Sequence, residues 1–291
     1  MWVKLRSYYR WTNLKNTYIK SPLNYVGGKY KLLPQILPLF PDNINTFVDL
    51  FGGGFNVGIN VSADTIVYND LESHVVELLK YLKETDTNRL LLEIDELINK
   101  YSLSKENADG FNELREYYNE ENNSPIVFYT MICYAFNYQI RFNQNGKYNM
   151  PFGKARSSFN PSLRQKFITF CDTLHNKNCM FFNVEFARFR FDELEKGDFV
   201  YADPPYFNSV AAYNEQGGWT EKHEQCLLAN LDELNQRGIS FALSNNLKYD
   251  NPLLDEWKSK YNVHYLNGDY RNCNYHKIDR SKDYEVLITN Y

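Results

Sequence analysis

The chain lacks any run of eighteen or more apolar residues, and its first residues, Met1 to Trp11, interleave Lys4, Arg6 and Arg10 with aromatics instead of building an apolar signal core. These absences argue against membrane insertion and against export, so a cytoplasmic location is the expectation. Cysteine is sparse. Cys133, Cys171, Cys179, Cys226 and Cys273 are odd in number and form no Cys-x-x-Cys pair, which removes the basis for a disulfide framework or a zinc knuckle. The five histidines show no metal-ligand spacing, and no metal is expected. The dinucleotide pattern Gly-x-Gly-x-x-Gly is missing as well: Gly52 and Gly54 are followed by Val57 where the third glycine should stand. A pyrophosphate cradle, and with it a nicotinamide oxidoreductase, is therefore disfavoured.

What is present is a globular composition. The 291 residues are 43% hydrophobic, enough for one large domain or two modest ones around a real core. Short β-branched and aromatic runs at Thr46 to Leu50, Thr65 to Asn69, Phe199 to Ala202, Ile239 to Leu243 and Glu285 to Thr289 alternate with helix-like stretches. Most are apolar without strict alternation, as strands buried on both faces of a mainly parallel sheet should be. The rhythm predicts an α/β fold with ligands at the carboxyl ends of the strands. It breaks between about Lys83 and Phe170, where helical patterns at Leu90 to Ile98, Phe111 to Tyr118 and Ile126 to Tyr138 lead into a loop rich in Gly, Asn and Pro. This reads as an insertion, residues 85–170, within a discontinuous domain of residues 1–84 and 171–291, with Met1 to Lys20 as a loosely attached arm.

The net charge of −4 is unevenly spread. From Asn137 to Lys166 the chain carries Arg141, Lys147, Lys154, Arg156, Arg164 and Lys166 and no acid at all, a local field suited to a polyanion. The acids between Glu84 and Glu121 are spaced as solvated helix faces.

Three segments and one aspartate carry the chemistry. Asp49-Leu50-Phe51-Gly52-Gly53-Gly54 follows a predicted strand, and its glycines allow a sharp turn and close approach of a ligand; a plain tight turn is the alternative. Asp70 ends the next predicted strand, where a carboxylate accepts ribose hydroxyls, although Asp70 could equally cap a helix before Leu71. Upstream, Tyr25-Val26-Gly27-Gly28-Lys29 opens a helix with two glycines that a small ligand could approach. Asp203-Pro204-Pro205-Tyr206 directly follows the run Phe199 to Ala202, and its prolines stop the strand and stiffen the loop beyond it. An exocyclic amine on a nucleobase is a poor nucleophile until both N–H bonds are held. The Asp203 carboxylate and the Pro204 carbonyl offer the two acceptors, and Tyr206 offers a flat face for the base.

These segments, in their order along the chain, resemble the Dam-type, alpha-group DNA adenine-N6 methyltransferases from Ser21 to Tyr291. The resemblance implies a Rossmann-like S-adenosylmethionine-dependent methyltransferase fold, with a seven-stranded mixed sheet and an inserted helical target-recognition subdomain. It implies cofactor contacts from Tyr25, Gly27, Gly28 and Lys29, from Asp49, Phe51, Gly52 and Gly54, from Asp70, from Glu185 and Phe186, and from Asp203. Asp203, Pro204, Pro205 and Tyr206 match the catalytic tetrapeptide, Leu243-Ser244-Asn245 the motif on the next strand, and Arg280 to Asn290 the ending. Asn137 to Gly153 is similar to the family's target-recognition hairpin, which would bring Arg141, Asn143, Lys147, Asn149, Pro151, Lys154 and Arg156 to double-stranded DNA, with Arg141 on a guanine edge. Gln139 and Ala155 depart from the apolar and aromatic residues of GATC-methylating members, which leaves the recognition sequence open. The implied activity is methyl transfer from S-adenosylmethionine to a flipped-out adenine, in a monomer or weak dimer, with a restriction endonuclease as a possible partner. The residues alone leave cytosine N4, RNA and a silent DNA-binding relative as alternatives.

Overall fold

Seven short strands among the described residues join into one mixed sheet, and their burial explains the unbroken apolar runs in the sequence. The computed structural model describes residues 18–208, 218–267 and 284–291. Most of the anticipated N-terminal arm, Cys273 and the first residues of the C-terminal motif lie outside them. The strands are β1 (Thr46–Asp49), β2 (Thr65–Asn69), β3 (Cys179–Phe182), β4 (Phe199–Ala202), β5 (Ser240–Asn246), β6 (Asn262–Asn267) and β7 (Tyr284–Thr289). Their order is β3-β2-β1-β4-β5-β7-β6. The first five pair in parallel, and β7 inserts antiparallel between β5 and β6.

Every run anticipated as a strand forms one. The two that the sequence did not announce, β3 and β6, are the sheet's outer strands. An edge strand with one face open needs no continuous apolar run. In β3, half-buried Cys179 and Phe181 alternate with exposed Met180 and Phe182, and β6 reads Asn-Val-His-Tyr-Leu-Asn.

Successive side chains of a strand point to opposite faces, so the sheet divides two apolar layers. Phe47, Phe199 and Tyr201 join one cluster, and Val48, Val200 and Ala202 join the other. The first layer holds the short helix α1 (Leu33–Ile36) and, between β2 and β3, α2 (Ser73–Glu84), α3 (Thr87–Lys100), α4 (Ala108–Glu120), α5 (Pro125–Tyr134) and α6 (Pro161–His175). The second holds α7 (Glu221–Gln236) and α8 (Pro252–Trp257). Residues of α3 to α6 belong to the same apolar cluster as β1 and β4, so the insertion and the sheet share a core. No helix among the described residues is long and apolar enough to cross a membrane.

α5 is the centre of the insertion. All residues from Ile126 to Tyr134 are buried, which accounts for a helix apolar on every side. It begins at Pro125, whose missing N–H costs nothing in the first turn. The helical pattern read to Tyr138 ends instead at Tyr134. Asn137 and Tyr138 adopt left-handed backbone angles, φ 54° and 56°. The chain leaves the helix to pair with the returning segment: Phe136 N–H donates to the Pro151 carbonyl at 2.8 Å, and Gly153 N–H to that of Tyr134 at 2.8 Å. α6 starts where Asn160 accepts the Leu163 N–H, and Arg164 ties it to α3 through a two-pronged pair with Asp95 at 2.7 and 2.8 Å.

Phe167 of α6 is fully buried, stacked on Tyr129 at 4.7 Å and edge-on to Phe159 at 6.0 Å. Phe167→Ala removes both contacts and leaves a cavity, so it should cost about 3 to 5 kcal/mol. Urea unfolding should show a clearly lowered midpoint; an unchanged midpoint would mean that this layer does not stabilise the fold.

Candidate active site

β1 and β4 lie side by side, with Asp49 in register with Tyr201. The chain leaves β1 towards β2 on one side and β4 towards β5 on the other, so a crevice opens at their carboxyl ends. The segment Asp49 to Gly54 emerges from β1 and Asp203 from β4.

The glycine loop is fastened from β2. Gly52 N–H donates to the Asn69 carbonyl at 2.8 Å, Gly53 N–H to Asp70 Oδ2 at 2.8 Å, and the Tyr68 hydroxyl to the Gly53 carbonyl at 2.8 Å. Gly53 has φ 47°, and a Cβ on Gly52 would lie 2.2 Å from the Tyr68 ring, so side chains at these two positions would displace the loop. Asp70 is not the helix cap. Its other oxygen accepts the Glu72 N–H at 2.9 Å, and Glu72 caps α2 by accepting the His74 N–H. Burial pushes the Asp70 carboxyl up, against the hydrogen bonds from Glu72 and Gly53. Tyr25 packs on the other side of the loop, 3.0 Å from the Cβ positions of Gly53 and Gly54. Gly27 turns the segment 25–29 at φ 78°.

Asp49 is 1% exposed and accepts the Gly58 N–H at 3.0 Å. Burial pushes its carboxyl up to about 7, the Gly58 N–H opposes, and the charges of Asp203 and Asp70 add to the rise. Phe51 and Phe186 lie 5.4 Å apart, and Trp219 meets them at 5.6 and 5.2 Å. The indole N–H of Trp219 donates to Glu224, a buried carboxylate that also accepts from Asn251 at 2.8 Å. The sequence reading missed Trp219; a lone tryptophan before a helix carries no pattern. Glu185 is half-exposed, 3.8 Å from Arg188.

Lys29 lies at the tetrapeptide. Its Nζ is 2.7 Å from Asp203 Oδ2 and 3.4 Å from Glu285 Oε1, donates to the Gly27 carbonyl at 3.1 Å, and sits 5.3 Å from the centre of the Tyr206 ring. The Tyr206 hydroxyl donates to Glu285 at 2.6 Å and lies 3.3 Å from Asp203 Oδ1. Pro204 is buried, Pro205 and Tyr206 are half-buried, and the Asp203 side chain is 17% exposed. Burial raises the Asp203 carboxyl above the usual carboxylate range; Lys29 and Tyr206 pull it down, and Glu285 pushes it up.

The basic segment folds as a hairpin. Asn149 N–H donates to the Arg141 carbonyl at 3.1 Å, Asn143 N–H to that of Lys147 at 2.9 Å, and Gly146 turns at φ 71°. Arg141 is exposed, its guanidinium braced by the side chain and carbonyl of Asn149 at 2.7 and 3.1 Å. Pro151, Lys154 and Arg156 are exposed beyond it, whereas Lys147 is paired with Glu120 and Asn143 accepts the turn's N–H groups. Asn24 Nδ2 donates to the Asn137 carbonyl at 2.7 Å, which links the hairpin to the segment carrying Tyr25 and Lys29.

A sheet of this order with β7 reversed, and a glycine loop beside an Asp-Pro-Pro-Tyr turn, defines a methyltransferase-type α/β protein. The chain belongs to the D12 class N6 adenine-specific DNA methyltransferase family, whose sequence profile matches residues 25–272. It is 50% identical over 283 residues to the type II methyltransferase M.FokI of Planomicrobium okeanokoites, covering 95% of this chain and 43% of that protein. It is 43% identical over 283 residues to the modification methylase StsI of Streptococcus sanguinis, covering 94% of this chain and 43% of that protein. A DNA adenine methylase of Escherichia coli K12 is 26% identical over 251 residues, covering 83% of this chain and 85% of its own. The chain thus spans less than half the length of its two more similar relatives. Family membership implies a methyl donor of the S-adenosylmethionine type.

Because the folded value for Asp49 lies above the unfolded one, its contribution to stability is complete below about pH 4 and is lost as pH rises through about 7. Asp49→Asn removes that loss and keeps an acceptor for Gly58. The ligand-free variant should equal or fall below the wild type in urea midpoint at pH 5 and gain on it towards pH 8, by a few kcal/mol at most. A pH-independent difference would show that this carboxyl titrates normally.

Proposed function

We propose that the chain transfers a methyl group from S-adenosylmethionine to the N6 amine of an adenine flipped out of double-stranded DNA, at a specific sequence. The observation that supports this reading above the others is the placement of the Asp203 turn and the glycine loop at the carboxyl ends of adjacent strands. An amine held at the first would face a donor held at the second.

The residues suit the donor. The carboxylates of Asp49, Asp70 and Asp203 gather at one edge where a cationic ligand offsets their burial, the glycine loop leaves no room for side chains, and Phe51 and Phe186 offer apolar rings. Tyr25, Gly27, Gly28, Phe51, Gly52, Gly54, Asp70, Glu185 and Phe186 would hold it, with Asp70 on the ribose hydroxyls. When bound, it supplies an electrophilic methyl group on a sulfonium.

The chain's own residues prepare the nucleophile. Asp203 and the Pro204 carbonyl accept the two N–H bonds of the amine, which draws its lone pair out of the ring and aims it. Tyr206 stacks on the extruded base and recovers part of the few kcal/mol spent on unpairing. The amine's lone pair would form the new N–C bond while the electrons of the C–S bond remained on the donor's sulfur. The nitrogen, now positively charged, gives up a proton readily, so Asp203 need not be a strong base beforehand. Alignment supplies the acceleration.

The hairpin reads the duplex: Arg141 on a guanine edge, Lys154 and Arg156 on phosphates, Asn143, Asn149 and Pro151 shaping the loop, and Lys147 exchanging Glu120 for a phosphate. The chain's similarity to modification methylases suggests a protective role beside a restriction endonuclease. A cytoplasmic monomer or weak dimer suits this work.

Asp203→Ala should lower methyl incorporation by at least about 10²-fold while cofactor and DNA binding persist, as loss of a group aligned on the reacting atom would. Turnover within a few-fold of wild type would remove Asp203 from its role. Arg141→Ala should relax sequence choice at one base pair by about 1 to 3 kcal/mol. An unaltered preference among methylated sites would take recognition away from Arg141.

A further inference from the structure

Glu285 grips neither the substrate amine nor the methyl donor in the proposed transfer, and its burial requires an explanation. It is 1% exposed on β7, between Asn246 of β5 and Leu266 of β6, and is followed by Val286, Leu287 and Ile288, all fully buried. A carboxylate at the heart of a sheet loses its hydration, and stability alone is served as well or better by an apolar side chain of similar volume. What this one gains, among the described residues, is three partners from three distant segments. Tyr206 donates its hydroxyl at 2.6 Å, Asn246 its Nδ2 at 3.1 Å, and the Lys29 ammonium lies at 3.4 Å.

Two of these partners belong to the reacting centre. The Tyr206 hydroxyl lies between Glu285 and Asp203, and the Lys29 ammonium bridges the same two carboxylates. One oxygen of Glu285, Oε1, thus fixes the tilt of the ring on which a base would stack and the position of the cation that faces Asp203, while Asn246 holds Oε2. We infer that Glu285 is a positioning residue for methyl transfer: it holds Tyr206 and Lys29 so that Asp203 presents a correctly aimed oxygen to the substrate amine. This inference rests on the proposed function.

The charges around Asp203 make the role measurable. Lys29, Glu285 and Tyr206 touch it or each other, and Asp49 and the buried Tyr201 lie near. Lys29 lowers its carboxyl and Glu285 raises it. Glu285→Gln keeps the shape and an acceptor for Tyr206 but removes the charge, so that of the two carboxylates only Asp203 still faces Lys29. The Asp203 carboxyl should then titrate at lower pH than in the wild type, whereas Lys29→Gln should move it to higher pH.

The test uses the whole 291-residue chain. The titration of the Asp203 carboxyl is followed by carbon-13 NMR in wild type, Glu285→Gln and Lys29→Gln. Single-turnover methylation of duplex DNA is followed across pH in wild type and Glu285→Gln. The expected results are opposite shifts of the titration in the two variants, and a transfer rate in Glu285→Gln lowered about 10- to 100-fold, as misplacement of the reacting groups would cause. Its KM for DNA should change little, and the acid limb of its rate profile should lie at lower pH. A purely structural Glu285 would lower the unfolding midpoint yet leave the titration, the acid limb and the rate of the folded fraction where they were, and that outcome overturns the inference. The NMR titration reads Asp203 whether or not the chain methylates DNA. A wild type without incorporation would therefore count against the proposed function, and an unmoved Asp203 against Glu285.

Discussion

The structure turns on several carboxylates forced out of water around one ammonium. Asp49, Asp70, Asp203 and Glu285 converge where the parallel strands end, and Lys29 is the cation placed between two of them. Burial drives the carboxyls of Asp49, Asp70 and Asp203 upward, and neighbouring acids reinforce the rise at Asp49 and Asp203. Each carboxylate is held by hydrogen bonds or by Lys29, which only partly offset the burial. The cluster is suited to a ligand that brings positive charge to the glycine loop and to an amine that brings hydrogen-bond donors to Asp203.

The rest of the fold serves that edge. β1 and β4 are adjacent, so the glycine loop and the Asp203 turn share a crevice. β2 supplies Tyr68, and Asp70 directly after it, to fasten the loop, and β7, running against its neighbours, supplies Glu285 from a segment far along the chain. The insertion packs into the same apolar layer as the sheet, and the Asn24 to Asn137 hydrogen bond ties its hairpin to the segment of Tyr25 and Lys29. The hairpin and the crevice at the strand ends therefore stand on one core.

Much of this was legible in the residues, and what was not has physical reasons. Strands buried on both faces announce themselves as apolar runs, whereas edge strands such as β3 and β6 do not. A loop was visible in the Gly, Asn and Pro composition and its basic character, and its hairpin form only through the family resemblance; the end of α5 was not visible, because an apolar run says nothing of a left-handed turn at Asn137 and Tyr138. Asp70 was left between a ribose contact and a helix cap, and its hydrogen bonds to Gly53 and Glu72, with Glu72 as the cap, decide against the latter. Lys29 was assigned to the cofactor side by resemblance; its contact with Asp203 could appear only once strands distant in sequence were neighbours. Glu285 and Trp219 carry no local pattern at all, since their partners come from other segments.

The central claim is that the amine gripped by Asp203 and Pro204 is the N6 of adenine. The most direct measurement incubates the chain with duplex DNA and methyl-labelled S-adenosylmethionine, digests the DNA to nucleosides and identifies the labelled one by mass spectrometry. Label in N6-methyladenine is the predicted result; label in N4-methylcytosine, or none in DNA, would contradict it.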